Sequence, residues 1–173
     1  MANPAGVRIT HWIHAASFLA LVVSGVAILL AHPRLYWGET GTVGMPALVD
    51  LPLPFVFGHT GWGRSLHFLA AWVVLFAGIS YVAIGLWTRH FGHGFRMYSV
   101  AQRTAYLAVV FGAFPVMFWT GMAMSPAFTS VIPSAAVLLG GQQSARTIHF
   151  LIANVVLLFS IGHAVMAYRG RQR

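Results

Sequence analysis

Four long runs of apolar residues, separated by polar or irregular segments, dominate the pattern along the chain. A helix needs about 20 residues at about 1.5 Å each to cross the hydrocarbon core of a bilayer. Each run is long enough, and the pattern predicts transmembrane helices over residues 10–31, 65–87, 104–124 and 148–168. The first run is too long for a signal peptide and carries histidines where a signal is purely apolar. We therefore predict an all-α integral membrane protein, a four-helix bundle forming one domain over residues 1–173.

The basic residues predict the orientation of these helices. All ten are arginines, scattered singly near the ends of the apolar runs. Seven lie in the amino terminus, the loop between the second and third helices and the tail, namely Arg8, Arg89, Arg96, Arg103, Arg169, Arg171 and Arg173. The opposite side carries Arg34, Arg64 and Arg146 together with the two acids, Glu39 and Asp50. The positive-inside rule then places both termini of this multi-pass protein in the cytoplasm.

The composition narrows the classes of function. Hydrophobic residues make up 58% of the chain and charged residues 7%, whereas a soluble chain has about a quarter charged residues. The net charge of +8 comes from isolated arginines rather than a basic run, so nucleic acid is not an expected partner. Cysteine is absent, which excludes disulfides, iron–sulfur clusters and the covalent attachment of c-type haem.

Two eight-residue segments of the chain are similar to each other. Residues 64–71 (RSLHFLAA) match residues 146–153 (RTIHFLIA), and each copy opens an even-numbered helix. Near the other membrane surface, Arg8 and His11 align loosely with Arg103 and Tyr106. The repeat predicts two duplicated helical hairpins with the same orientation.

Several of the nine histidines fall within the apolar runs. An ionisable residue at membrane depth is costly unless it faces the bundle interior and has a partner; a hydrogen bond between packed helices is the simpler explanation for any single one. His149 and His163 are 14 residues apart on one helix, which puts them about 40° apart around the helix and about 21 Å apart along it. The repeat gives His67 the depth of His149, and His11 starts the first helix at the level of His163. This arrangement predicts two haem irons with axial pairs His67–His149 and His11–His163.

Other residues have two interpretations each. His14 competes with His11 as the ligand on the first helix, or makes a packing hydrogen bond. Arg8, Arg64 and Arg146 are placed to bind haem propionates or only to fix the topology. The pairs Ser24–Gly25 and Thr120–Gly121 either admit a flat ring or allow close helix packing. His32, His59, His90 and His93 lie in or beside loops, and a zinc site at the last two is not expected.

The segment Arg8-Ile9-Thr10-His11-Trp12-Ile13-His14 resembles the opening signature of bacterial four-helix dihaem cytochromes b. These are the membrane subunits of formate dehydrogenase, nickel–iron hydrogenase and thiosulfate reductase. The resemblance covers the whole chain and implies that His11, His67, His149 and His163 are the axial ligands of two haems b. The loop segment 32–39 (HPRLYWGE) is most similar to the thiosulfate-reductase-type branch.

The resemblance implies an electron-transfer subunit, rather than a catalyst on its own, that connects a periplasmic redox protein, in some relatives a molybdopterin enzyme, with membrane quinone. We expect the quinone site at the cytoplasmic end, formed by His14, Gln102, Arg103 and Tyr106. A self-sufficient superoxide:quinone oxidoreductase is one alternative, and a transporter or proton channel that uses a histidine relay is another. The aromatic residues of the first outer loop are either a partner surface or an interfacial belt: Tyr36, Trp37, Phe55, Phe57 and Trp62.

Overall fold

The computed structural model describes residues 5–42, 44–54, 61–88 and 99–171. Within these residues the elements are α1 (Ala5–Ala31), β1 (Arg34–Leu35), β2 (Val49–Asp50), α2 (Gly61–Trp87), α3 (Val100–Ala123), α4 (Pro126–Thr129), α5 (Ser134–Val137) and α6 (Gln142–Arg171). Four of the described helices, α1, α2, α3 and α6, are long and apolar enough to cross a membrane. The predicted all-α membrane fold is therefore confirmed.

Each long helix begins four to six residues before the predicted start, at Ala5, Gly61, Val100 and Gln142. The apolar pattern marks the thickness of the hydrocarbon core, whereas the hydrogen-bonded helix continues into the polar zone beyond it. At the start of α3, for example, Ser99 and Gln102 form a reciprocal cap. The Ser99 backbone N–H donates to Gln102 Oε1 at 2.9 Å, and the Gln102 N–H donates to Ser99 Oγ at 3.3 Å.

The described chain divides into two compact units. In the first unit, residues 1–33 and 52–103, α1 packs along α2. The α2 residues buried in this contact are small, and three of them, Gly63, Ala70 and Ala77, recur every seventh position. A Cβ atom added to Gly63 would lie 3.2 Å from Cβ of Ala27, so glycine at this position allows the two backbones to approach closely.

The second unit comprises residues 34–51 and 104–173. In this unit α6 packs against the end of α3, and α4 and α5 lie beside them. The buried cluster is again made of small residues, namely Ala123, Ala135, Ala136 and Ala145. The segment 34–51, called the strap below, contains an antiparallel ladder that pairs Arg34 with Asp50 and Leu35 with Val49.

Large apolar side chains point away from these contacts. Leu19, Leu69 and Leu158 are each more than 60% exposed, whereas Ser24 and Thr120 are fully buried. A soluble protein buries its large apolar side chains and exposes its polar ones. The inverse distribution is the one that a lipid environment favours, because helix association in a bilayer rests on small residues and hydrogen bonds.

Candidate functional site

His67 has a hydroxyl partner in the first unit. Its Nδ1 atom lies 3.0 Å from Oγ of Ser24, which is fully buried on α1. The Ser24 hydroxyl also lies 2.6 Å from the Ala20 carbonyl oxygen, one turn earlier on its own helix. Gly63 precedes His67 by one turn, and its close approach to α1 brings the hydroxyl within reach of the imidazole ring.

The second unit repeats this arrangement. Nδ1 of His149 lies 2.8 Å from Oγ1 of Thr120, and that hydroxyl lies 2.8 Å from the Val116 carbonyl oxygen. In each hairpin a glycine follows the residue that bears this hydroxyl: Gly25 follows Ser24, and Gly121 follows Thr120. A Cβ added to Gly25 or Gly121 would lie 3.6 Å from Cε1 of the adjacent histidine, an ordinary van der Waals distance. The two units thus hold one imidazole each by the same contacts.

The two histidines that the sequence places at the other end of the helices are exposed. His11, near the start of α1, has its ring edge-to-face with Trp12 at 5.7 Å between centroids. His163, near the end of α6, stacks on Phe159 at 6.2 Å. His14 is half-buried, its Nδ1 lies 2.8 Å from the Thr10 carbonyl oxygen, and its Nε2 faces α2 at Gly78.

The strap is fastened to the start of α6, just before His149. Thr147 Oγ1 donates to the Tyr36 carbonyl at 2.7 Å, and Arg146 donates to the Arg34 carbonyl at 3.2 Å. Gly38 has a φ of +104°, and its carbonyl accepts the N–H groups of Gln143 and Ser144, the first-turn donors of the helix. These bonds fix the backbone of the turn that leads to His149.

Both carboxylates of the chain belong to the strap and have structural partners. Glu39 Oε2 accepts the N–H of Gln142 at 3.2 Å, where a negative charge complements the amino end of α6. Asp50 pairs with Arg34 at 3.1 Å, and this hydrogen bond raises the pKa of the Arg34 guanidinium. Asp50 is therefore compensated within the strap, and Glu39 by the amino end of α6.

The remaining predicted residues are dispersed. Arg8 and Arg64 are exposed, whereas Arg146, Arg103 and Tyr106 are half-buried. The Nε atom of Arg103 is buried and has no hydrogen-bond partner among the described residues. Within those residues, no group of three or more histidine or carboxylate side chains could hold a metal ion. His59, His90, His93, Phe55 and Phe57 lie outside the described residues.

The prediction that Tyr36 contributes to a partner surface is wrong. Tyr36 cannot contribute to a partner surface, because it is 6% exposed and its hydroxyl donates to the Thr42 carbonyl at 2.9 Å. Trp37 and Trp62, by contrast, are 59% and 54% exposed.

The sequence also did not reveal the histidine–hydroxyl contacts, although it offered a signal. Ser24-Gly25-Val26-Ala27 and Thr120-Gly121-Met122-Ala123 are a second repeated segment. The pairs Ser24–Gly25 and Thr120–Gly121 were predicted only to admit a flat ring or to allow close helix packing. A hydroxyl in an apolar run can donate to a carbonyl of its own helix, and its oxygen can then accept a hydrogen bond from a second group such as a histidine.

Comparison with known proteins assigns the chain to a family. Residues 3–173 match the family model described as prokaryotic cytochrome b561. A protein of Azospira oryzae, named putative protein-methionine-sulfoxide reductase subunit YedZ1, is 23% identical over 190 residues, which cover 95% of this chain and 88% of that protein. No solved structure matches the chain. The predicted membrane cytochrome b, with haem b as its electron-transfer group, is confirmed, and the chain belongs to the prokaryotic cytochrome b561 family.

Proposed function

We propose that this chain is a dihaem subunit of the bacterial inner membrane that carries electrons between membrane quinone and a periplasmic redox protein. The proposed axial pairs are His67–His149 and His11–His163. The observation that carries the proposal is the repeated contact of His67 with Ser24 and of His149 with Thr120. Two imidazoles held alike in two duplicated hairpins are suited to serve as two equivalent ligands.

The residues fit haem b. An imidazole that makes a hydrogen bond through one ring nitrogen retains the other for a metal, and this is how metal-binding histidines are usually held. In His67 and His149 the nitrogen that contacts the hydroxyl is Nδ1, and we propose Nε2 as the ligand atom for iron. Haem supplies a reversible one-electron couple, and two histidines per iron leave no open position for oxygen, which favours electron transfer.

The second proposed pair uses His11 rather than His14. Nε2 of His14 faces the α2 backbone, since a Cβ at Gly78 would lie 3.5 Å from it. This position is suited to packing within the hairpin. His11 and His163 both lie on exposed faces of their helices. His163 also shares a helix face with His149, because 14 residues leave them about 40° apart around α6.

Arginines near the proposed ligands are suited to the haem propionates. Arg64 and Arg146 precede His67 and His149 by three residues. Arg146 donates through Nη1 to the Arg34 carbonyl of the strap. Arg8 stands three residues before His11. Guanidinium groups pair with carboxylates by two parallel hydrogen bonds, so propionate binding at these positions is chemically favourable.

We place the quinone site at the predicted cytoplasmic end, near His14, Gln102, Arg103 and Tyr106. The buried Nε–H of Arg103 supports this position, since a buried donor that has no hydrogen-bond partner among the described residues is suited to a ligand oxygen. Quinone-analogue binding should shift the spectrum of the haem that is lost in His11→Ala. A shift confined to the haem that is lost in His67→Ala would place the site at the opposite surface.

The redox partner is proposed from the relative in Azospira oryzae, whose name describes a subunit of a protein-methionine-sulfoxide reductase. If this chain serves a reductase of that kind, a quinol gives up two electrons and two protons. The partner uses two electrons and two protons to convert a sulfoxide to a thioether and water. A molybdopterin cofactor in the partner is part of the same proposal. Trp37, on the strap, is suited to the contact surface.

Haem content in single variants tests the proposal. We expect two haems per purified chain, with His67→Ala and His149→Ala each losing one haem and His11→Ala and His163→Ala losing the other. His14→Ala is the matched control and should keep both. If His11→Ala retains both haems and His14→Ala loses one, the ligand on α1 is misassigned. A chain without a haem spectrum would instead favour the histidine relay.

A further inference from the structure

The hydroxyl groups that contact His67 and His149 have a consequence beyond helix packing. We propose that Ser24 and Thr120 are positioning residues: they fix which imidazole nitrogen carries the proton, and thereby set the reduction potential of the haem held by His67 and His149. This inference rests on the proposed function, because it acts through those two ligands.

The proton positions follow from the contacts of Ser24. Its Oγ atom lies 2.6 Å from the Ala20 carbonyl oxygen and 3.0 Å from Nδ1 of His67. A carbonyl oxygen only accepts hydrogen bonds, and a hydroxyl has one proton to donate. If that proton pointed to Nδ1, two oxygen atoms would face each other at 2.6 Å with no proton between them. The stable arrangement has the hydroxyl donating to Ala20 and accepting the N–H of Nδ1.

Thr120 leads to the same assignment independently. Its Oγ1 lies 2.8 Å from the Val116 carbonyl oxygen and 2.8 Å from Nδ1 of His149. The hydroxyl proton again goes to the carbonyl group, so Nδ1 of His149 carries a hydrogen. In both histidines these contacts favour the tautomer that carries its hydrogen on Nδ1, and Nε2 is the atom that we propose for the metal. Ser24 and Thr120 are fully buried, and the histidines that they contact are half-buried.

These bonds affect iron through the imidazole ring. A hydrogen-bond acceptor at Nδ1–H increases the basicity of the opposite nitrogen, which strengthens its donation to the metal. Stronger donation favours the ferric over the ferrous state and lowers the reduction potential. The hydroxyl oxygen is a better acceptor because its own proton is donated to a carbonyl group, and successive hydrogen bonds polarise one another. Both ligands of one haem receive this effect.

The test compares variants that remove each hydroxyl with variants that keep it. Ser24→Ala and Thr120→Val delete the acceptor, and Thr120→Val keeps nearly the same shape. Ser24→Thr and Thr120→Ser retain a hydroxyl. Redox titrations of the purified protein, followed optically, should show a higher midpoint potential for the haem that is lost in His67→Ala. The midpoint potential of the other haem should be unchanged. The double variant Ser24→Ala/Thr120→Val should show the largest shift in potential. The ferric electron paramagnetic resonance signal of the same haem should change as well.

Ser80→Ala is the matched control, because it removes a hydroxyl that donates to the Phe76 carbonyl at 2.8 Å in the neighbouring helix α2. It should leave both potentials unchanged, and Ser24→Thr and Thr120→Ser should restore values near the wild type. If Ser24→Ala loses the haem, Ser24→Cys provides the comparison, since a thiol is a weaker acceptor. An unchanged potential in that variant, or in Ser24→Ala and Thr120→Val with both haems present, overturns the inference.

The ligand assignment and the positioning role have distinguishable outcomes in these variants. If His67→Ala loses one haem and the hydroxyl variants alter nothing, the positioning role is wrong and the ligand assignment stands. If His67→Ala keeps both haems, the proposed function is wrong at that position. The positioning role is then overturned with it.

Discussion

Thr147 and Ser65 occupy matched positions of the repeat but have different hydrogen bonds. Ser65 is exposed and donates to the Gly61 carbonyl of its own helix at 3.0 Å. Thr147 is 1% exposed and donates to the Tyr36 carbonyl of the strap at 2.7 Å. The same type of side chain therefore has a local role in one hairpin and a long-range role in the other.

We predict that Thr147→Val loosens the strap. The substitution removes a buried donor and leaves the Tyr36 carbonyl without that partner, which should cost about 1–3 kcal/mol of stability. Trypsin should then cleave after Arg34 faster than in the wild type, as measured on the detergent-solubilised protein. Ser65→Ala is the matched control and should not change the cleavage rate. Equal rates in Thr147→Val and the wild type would show that this bond does not hold the strap.

At the scale of elements, α3 contains an irregularity that the repeat explains. Arg8 and Ser24 are 16 residues apart in the first hairpin, whereas their counterparts Arg103 and Thr120 are 17 apart. Between the latter two, residues Ala108–Ala113 form a π-helix. A π-helical turn is the usual way in which a helix absorbs one extra residue. The wider turn thus keeps Thr120 opposite His149 in spite of the additional residue between Arg103 and Thr120.

The strap is the other element that distinguishes the two hairpins. Its backbone supplies acceptors to the first turn of α6, and Glu39 supplies a charge there. Gly141 has a φ of +111°, and a Cβ at this position would overlap with the Gly38 backbone, so the strap and the turn before α6 fit only with glycine here. The strap therefore determines where the helix that carries His149 begins.

At the scale of the whole molecule, the orientation in the membrane is open to a direct test. The chain has no cysteine, so a single introduced cysteine is labelled without background. Leu48 on the strap is 59% exposed and Val100 at the start of α3 is 73% exposed. We predict that a membrane-impermeant maleimide labels Leu48→Cys in intact spheroplasts and labels Val100→Cys only after lysis. The positive-inside rule requires this result, because seven of ten arginines lie on the Val100 side.

The control for this experiment is the double variant Leu48→Cys/Val100→Cys, which should take up one label before lysis and two after it. If the label reacts with Val100→Cys but not with Leu48→Cys in intact spheroplasts, the orientation is the reverse of the predicted one. This result would also move the proposed quinone site to the periplasmic side.

The four membrane helices, their approximate bounds and the duplication were predictable from the sequence alone. These features depend on apolar run length and on a repeated segment, which are properties of the chain and need no knowledge of packing. The sequence also singled out His67 and His149 as matched positions. The assignment of all four axial ligands remains a prediction, since it concerns iron that only a haem measurement detects.

The pairing of polar groups depends on contacts between distant parts of the chain. Ser24 and His67 are 43 residues apart, and Thr147 and Tyr36 are 111 apart. Gly63 permits the close approach of α1 and α2 beside the first pair, and Gly141 permits the close approach of the Gly38 backbone near the second. Tyr36 is buried in the folded strap, although the composition of its loop had favoured it as a surface residue. A hydrogen bond depends on distances of tenths of an ångström between distant parts of the chain, and periodicity along a sequence does not specify such distances.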